Sequence, residues 1–246
     1  LGSAKEESIA ALRDLARGKR RSQRLIAAGC LAQRNGDEIV RRFPGVDALL
    51  GTRRWMEIVP LVEQLRTGRR KERYALLGDP EHANDGAVIR PSVPTGSAYL
   101  KISDGCSAPC TFCTIPSFKG KQRSKRPGAV LQEAQALVDQ GVEEIVLVAQ
   151  DLTAYGHDWG DAIGQGLPAL LEMLCTEIRH PAGRLWYRLM YAYPGHANEQ
   201  LVEVMAKHRD MIAPYLDMPL QHGDRRVLKR MMRPHNMEKQ AAFFRQ

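Results

Sequence analysis

Tyr99-Leu100-Lys101-Ile102-Ser103-Asp104-Gly105-Cys106-Ser107-Ala108-Pro109-Cys110-Thr111-Phe112-Cys113 decides how this chain reads. It opens as a short apolar strand over Tyr99 to Ile102 and passes, with no helix between, into three closely spaced cysteines. Beyond them strand and helix patterns alternate: a helix over Pro127 to Gln140, a strand over Glu144 to Ala149, a helix over Leu167 to Ile178. A strand over Leu185 to Tyr191, a helix over Asn198 to Lys207, a strand over Tyr215 to Met218 and a helix from near Asp224 follow. Such alternation predicts right-handed crossovers and a parallel sheet. Ligands of parallel α/β folds sit beyond the carboxyl ends of the strands, and the cysteine loop follows the first strand.

Upstream, the same alternation begins once already. Ser3 is placed to cap a helix with Ile9, Leu12, Leu15 and Ala16 on one face, ended by Gly18. A strand over Arg24 to Ala28 leads to Cys30. A helix over Leu31 to Phe43 breaks at Pro44-Gly45, and a strand over Val46 to Leu50 precedes a helix capped by Thr52 and carrying Trp55, Ile58, Leu61, Val62 and Leu65. From Gly78 to Gly96 the pattern dissolves into Gly, Pro, Asp, Asn and Ser. The expected organisation is therefore an α/β domain over 1–77, a linker over 78–96, and a second α/β domain of parallel strands over 97–246.

The 246 residues are 43% hydrophobic and 26% charged, an ordinary globular balance. The longest aliphatic run, Ile145 to Ala149, is far short of the ~20 apolar residues a membrane helix needs, and no secretory signal opens the chain. A cytoplasmic protein without a membrane partner is expected. The chain starts without Met and stops in a helix-like stretch, so it reads as a piece of a longer protein. The net charge of +8 gathers at Lys19 to Arg21, Arg69 to Lys71, Lys119 to Arg126 and Arg225 to Arg233. A basic surface suits RNA or an RNA-rich assembly, although solvated surface charge is the simpler reading. No aromatics interleave with these runs, so direct base readout is unsupported.

Five cysteines, an odd number with three crowded together, argue against a disulfide framework and for metal ligation in a reducing compartment. Three thiolates can hold three irons of a cubane cluster and leave the fourth iron open to another ligand. A zinc site would need a fourth ligand, and no His stands near the triple. A zinc-stabilised, non-catalytic RNA-binding module is the alternative from a different class. Cys175, at helical spacing with Leu170, Met173 and Leu174, reads as core.

The spacing Cys106-x3-Cys110-x-Phe112-Cys113 resembles the radical S-adenosylmethionine (SAM) superfamily. The wider context is similar to its methylthiotransferases: Lys101 to Cys106, Cys110 to Pro116, Lys119-Gly120, Arg123-Ser124, Gln150 to Gly156, Pro219 to His222 and Leu228 to Met231. Ala4 to Ile9 and Gly29 to Arg34 resemble that family's N-terminal domain. Lys101 to Gly105, Gln150-Asp151, Thr114 to Ser117 and Ala32 to Arg34 resemble the branch that modifies an aspartate of a small-subunit ribosomal protein, the twelfth. The branch acting on adenosines of tRNA is the alternative. Leu152, Lys119 and Gly195-His196 depart from the usual pattern.

The resemblance implies a transferase with an incomplete radical SAM (βα) barrel, preceded by part of an N-terminal methylthiotransferase domain. It implies that Cys106, Cys110 and Cys113 hold a 4Fe–4S cluster whose free iron takes SAM, with Phe112 near the adenine. Gln150 would approach SAM, and Arg188 would meet a carboxylate of SAM or of the substrate. Cys30 matches the third of three cysteines that hold a second 4Fe–4S cluster, its other ligands lying before Leu1. The intact protein would carry two clusters, an electron donor as partner, and a C-terminal substrate-binding TRAM domain.

Overall fold

A computed structural model describes residues 2–68, 73–79, 86–93, 96–163, 166–181 and 183–245. The chain divides into two compact units, 1–84 with 117–119 and 85–116 with 120–246. Of the linker expected over 78–96, residues 80–85 and 94–95 lie outside the described residues.

The first unit runs α1 (Gly2–Gly18), β1 (Ile26–Ala28), α2 (Cys30–Arg42), β2 (Ala48–Leu50), α3 (Ile58–Thr67) and β3 (Tyr74–Leu76). The strands pair in parallel in the order β1-β2-β3. Every residue of the central β2, Ala48-Leu49-Leu50, is buried, as a parallel strand with two covered faces requires. Leu49 packs with Ile9, Ile39 and Phe43, and Leu50 with Leu61 and Leu65.

The expectations for Ser3, Leu15 and Thr52 change here, and an unexpected strand appears. Ser3 lies inside the first turn of α1 instead of capping it, and Leu15 is exposed, because the buried stripe of α1 is narrower than its apolar pattern. Thr52 caps nothing: a 3-10 turn over Trp55–Glu57 intervenes and α3 starts at Ile58. Tyr74-Ala75-Leu76, with Arg73 before it, carries too short a pattern to announce β3.

The second unit contains β4 (Gly96–Lys101), β5 (Ser103–Asp104), the first two residues of α4 (Ile115–Lys119), β6 (Arg123–Ser124), α5 (Pro127–Val138) and β7 (Val142–Val148). There follow α6 (Gly166–Glu177), β8 (Trp186–Leu189), α7 (Glu199–Lys207), β9 (Ile212–Leu216), α8 (Arg225–Arg230) and α9 (Met237–Phe243). Its main sheet is parallel in the order β4-β7-β8-β9, so every strand lies beside the next with a helix between β7 and β8 and between β8 and β9. The parallel α/β expectation holds. β9 begins at Ile212, three residues before the expected Tyr215. β5 and β6 form a small antiparallel pair that no sequence pattern announces.

One face of the main sheet is covered by helices. Leu100, Ile145, Leu147, Tyr187 and Leu189 meet Val130, Leu137, Leu170, Leu174 and Leu201 from α5, α6 and α7. Tyr187 secures this face by donating its hydroxyl to the Leu174 carbonyl at 3.0 Å. The alternate residues point to the opposite face, where Tyr99 is 67% exposed and Trp186 and Tyr215 are also exposed. Asn198 and Asp224 cap α7 and α8 by accepting from the backbone N–H groups of Leu201 and of Arg226 and Val227.

Candidate functional site

The cysteine loop begins where β4 and β5 end. Gly105 takes φ 72°, and a Cβ there would stand 2.2 Å from the Lys121 carbonyl oxygen, so this close approach of two backbones needs glycine. Cys106 then donates its N–H to the Gly120 carbonyl at 3.1 Å, closing the base of the loop. Cys113 donates its N–H to the Cys110 carbonyl at 3.1 Å, a tight turn joining the last two cysteines. The tip is pinned by Thr111, whose N–H and hydroxyl donate to the carbonyls of Met231 (3.2 Å) and Arg230 (3.1 Å).

None of the three thiols is in a disulfide; Cys106 is buried and the other two are half-buried. Each sulfur accepts one hydrogen bond. Cys106 Sγ takes the Ala108 N–H at 3.4 Å, Cys113 Sγ the Ile115 N–H at 3.4 Å, and Cys110 Sγ the Arg233 guanidinium at 3.6 Å. Burial pushes the Cys106 thiol above its ordinary pKa, and the negative potentials of Asp151, Cys110 and Cys113 push the same way against the Ala108 N–H. Such a thiol ionises when a cation compensates it, which is how metal binding displaces protons from cysteine. Among the described residues no three His, Cys, Asp or Glu side chains are close enough to share a single metal ion. A cubane distributes its irons over separate corners, so its thiolates need not meet at one point.

Around the loop several buried polar atoms have no hydrogen-bond partner among the described residues: Ser103 Oγ, both amide atoms of Gln122, and Gln150 Oε1. Leaving such a group unpaired costs about 1–3 kcal/mol, so a concentration of them beside one loop marks room for a polar ligand. Gln150 follows Val148, the last residue of β7, which puts it at the strand's carboxyl end. Phe112 is 49% exposed, its ring free to lie against a ligand.

Next to Gln150, Asp151 is 2% exposed and fully engaged. It accepts from the Thr153 hydroxyl (2.8 Å) and the Ala154 N–H (3.2 Å), and pairs with His196 Nδ1 at 2.8 Å. His196 stacks near His157 and Tyr193, with ring centroids 5.0 Å away in both cases. Burial, then the neighbouring His196, lowers the His157 pKa. A cavity of about 370 Å3 opens beside this network, lined by Thr153, His157, Leu167, His196 and Gln200 among others. None of the three cysteines lines it, so it is separate from the cysteine loop.

Arg188 is held elsewhere. It lies in register with Val146 and reaches Glu144, two residues back on the same face of β7, at 2.8 and 2.6 Å. Its guanidinium also stands 5.8 Å from the Tyr215 ring centroid. A ligand carboxylate at Arg188 would have to displace Glu144. Cys30, in the first unit, is exposed and is the first residue of α2, immediately beyond β1.

A model of the radical SAM superfamily matches residues 100–245, which takes in the last two residues of β4, the cysteine loop and the strands β7, β8 and β9. The chain belongs to the radical SAM superfamily. Residues 1–51 match the uncharacterized protein family UPF0004. Ribosomal protein uS12 methylthiotransferase RimO of Roseiflexus sp. (strain RS-1) is 46% identical over 97% of this chain and 53% of its own length. The protein of the same name from Chloroflexus aurantiacus is 47% identical over 97% of the chain and 54% of its own length. The chain thus spans about half the length of the curated relatives it matches. The solved structure of the cobalamin-dependent S-adenosylmethionine radical enzyme OxsB superimposes with a TM-score of 0.58 at 11% identity, covering 97% of this chain and 36% of that one. At that identity the likeness is one of fold.

Within the radical SAM unit, sequence reasoning missed Ser103, Gln122, Tyr193 and Arg233. Ser103 and Gln122 are ordinary surface types by composition; Ser103 is buried where β5 pairs with β6, and Gln122, just before β6, donates its N–H to Ser107 Oγ at 3.2 Å. Arg233 closes a basic run read as surface, yet it is 7% exposed. Lys125, in another such run, is buried against Glu133.

Proposed function

We propose that this chain is the radical-generating part of a methylthiotransferase that modifies an aspartate of ribosomal protein uS12, the activity carried in the name of its curated relatives. The observation that carries the reading is the loop of three hydrogen-bonded, unbridged cysteines beyond the first strand of a radical SAM sheet. When bound there, a 4Fe–4S cluster chelating SAM supplies one-electron cleavage of a carbon–sulfur bond, which generates a radical able to take hydrogen from an unactivated carbon. In this reading Cys106, Cys110 and Cys113 hold the cluster, and the N–H groups of Ala108 and Ile115 steady two of the sulfurs. Ser103, Gln122 and Gln150 offer unpaired polar atoms to the amino, carboxylate and hydroxyl groups of SAM. Phe112 covers the adenine. Cys30 contributes to a second cluster from the first unit, and Arg188, once released by Glu144, meets a carboxylate. The protein works in the cytoplasm with an electron donor.

The experiment uses the full-length protein, reconstituted anaerobically with iron and sulfide and supplied with a reductant and SAM. The expected product is a methylthio group on the β-carbon of an aspartate in uS12, located by mass spectrometry of the ribosomal protein. Methylthiolated adenosine in tRNA, with uS12 unmodified, would move the chain to the other branch. Cys106→Ala is expected to abolish 5′-deoxyadenosine formation; normal formation in that variant would remove the assignment of the radical site.

A further inference from the structure

Arg233 presents a physical problem that the rest of the unit does not answer. Its guanidinium is almost wholly buried, and among the described residues no carboxylate pairs with it. One nitrogen donates to the Pro219 carbonyl, another reaches Cys110 Sγ at 3.6 Å, and Nε has no partner among the described residues. The ring of Tyr193 lies 4.4 Å below the guanidinium carbon. A buried cation without a counter-charge is costly, and neither a neutral carbonyl nor a π face neutralises it. The backbone is also strained to put it there. Met232, the residue before it, takes φ 52°, so the chain turns sharply out of α8 and delivers Arg233 to the cysteine loop. The same turn brings the Met231 carbonyl to the Thr111 N–H, so loop and guanidinium are held by one local arrangement.

We infer that the missing counter-charge is the thiolate-bound cluster itself, and that Arg233 is a positioning residue that sets its reduction potential. A cubane carried by three thiolates is anionic, and more so after taking up an electron. A fixed guanidinium donating to one of its sulfurs therefore stabilises the reduced form over the oxidised one and raises the potential, since hydrogen bonds to the sulfurs and local charge are the protein's levers on cluster potential. Tyr193 holds the guanidinium flat from beneath, and the Pro219 carbonyl fixes its rotation about the stem. This inference rests on the reading that Cys110 is a cluster ligand.

The test is a redox titration of the full-length, iron-loaded protein, following by EPR the cluster whose signal changes when SAM is added. Wild type, Arg233→Gln and Arg233→Lys are compared. In R233Q the reduced-to-oxidised ratio at a fixed potential is expected to fall about tenfold, which is about 59 mV for a one-electron couple. R233K, which keeps the charge, is expected to stay close to wild type. Any cluster signal indifferent to SAM serves as the internal standard and is expected not to move. An R233Q protein with full iron content and an unmoved potential would overturn the inference, and so would an R233K potential as low as that of R233Q. Should R233Q lose its iron, R233K decides: iron kept at a near-native potential supports the role of the charge, and iron lost there too overturns it. A Cys110→Ala protein that keeps the complete SAM-responsive cluster would sink the underlying reading instead, so the two failures are distinct.

Discussion

Gly29 and Gly105 each stand immediately before a candidate ligand cysteine, and both take positive φ, 106° and 72°. Their needs differ. At Gly105 a Cβ would press to 2.2 Å from the Lys121 carbonyl oxygen and 2.7 Å from that of Gly120, two backbone atoms that no side-chain motion can relieve. At Gly29 a Cβ would meet nothing within 4 Å, so only the backbone angle resists substitution. Gly29→Ala is therefore expected to destabilise by about 1–2 kcal/mol, and Gly105→Ala by more than that, both measured by urea unfolding. Iron analysis separates them further: G105A is expected to lose iron from the cysteine loop while G29A keeps it there. Equal effects of the two would mean that the Lys121 approach is slack. At this scale the sequence was readable where residue type alone carries chemistry, as with the three cysteines and their spacing. It was silent on Arg233, which looks like the last member of a basic surface run. What distinguishes that arginine is a sulfur 123 residues away in the chain, and no local pattern encodes such a neighbour.

Two of the helix starts legible in the sequence, those of α7 and α8, carry a chemical signal that the structure uses. Asn198 and Asp224 stand as N-caps where the sequence pattern starts these helices, and the Asn198 side chain accepts the Leu201 N–H at 3.0 Å. Asn198→Ala is expected to cost about 1 kcal/mol, seen as a lower midpoint in urea with an unchanged slope. The short elements were invisible for a complementary reason. β3 has three residues and β5 and β6 have two each, so their hydrogen bonds come from partners elsewhere in the chain and not from any repeating pattern of their own. The end of α8 carries a different lesson. Arg233 donates its N–H back to the Leu228 carbonyl at 2.9 Å, the Schellman closure that normally places glycine where Met232 stands. Met232 is exposed, so its side chain loses little packing on removal. Met232→Gly is expected to stabilise by about 0.5–1 kcal/mol, the relief of the left-handed backbone less the added freedom of glycine in the open chain. A loss of stability there would show that the methionine side chain makes a contact worth more than the strain.

Across the whole molecule the cysteines fall into three environments that composition could not separate: an exposed helix start at Cys30, the hydrogen-bonded loop at 106–113, and the apolar core at Cys175. The last of these has a consequence for stability against alkali. Burial pushes the Cys175 thiol up from 9.0 to about 12, with the negative charges of Glu172 and Asp210 adding to it. Above pH 9.0 the unfolded chain releases this proton while the folded chain keeps it. The unfolded state then binds fewer protons, and stability falls as pH rises until the folded thiol itself ionises. The stabilising contribution is thus complete below pH 9.0 and is lost progressively up to about pH 12. Tyr155 and Tyr187, both raised by burial, extend the same decline. On the acid side His157, lowered by burial, works in the opposite direction, its contribution being present above its unfolded pKa of 6.5 and lost as pH drops through its folded value. Replacing Cys175 with Val removes one titrating group from an apolar site of nearly the same volume. The difference in unfolding free energy between wild type and C175V, followed in urea from pH 8 to pH 10, is expected to shift by about 1.4 kcal/mol in favour of the variant across that interval. Parallel curves over the interval would mean that Cys175 ionises in the fold as readily as in the open chain, and that the core of α6 admits water.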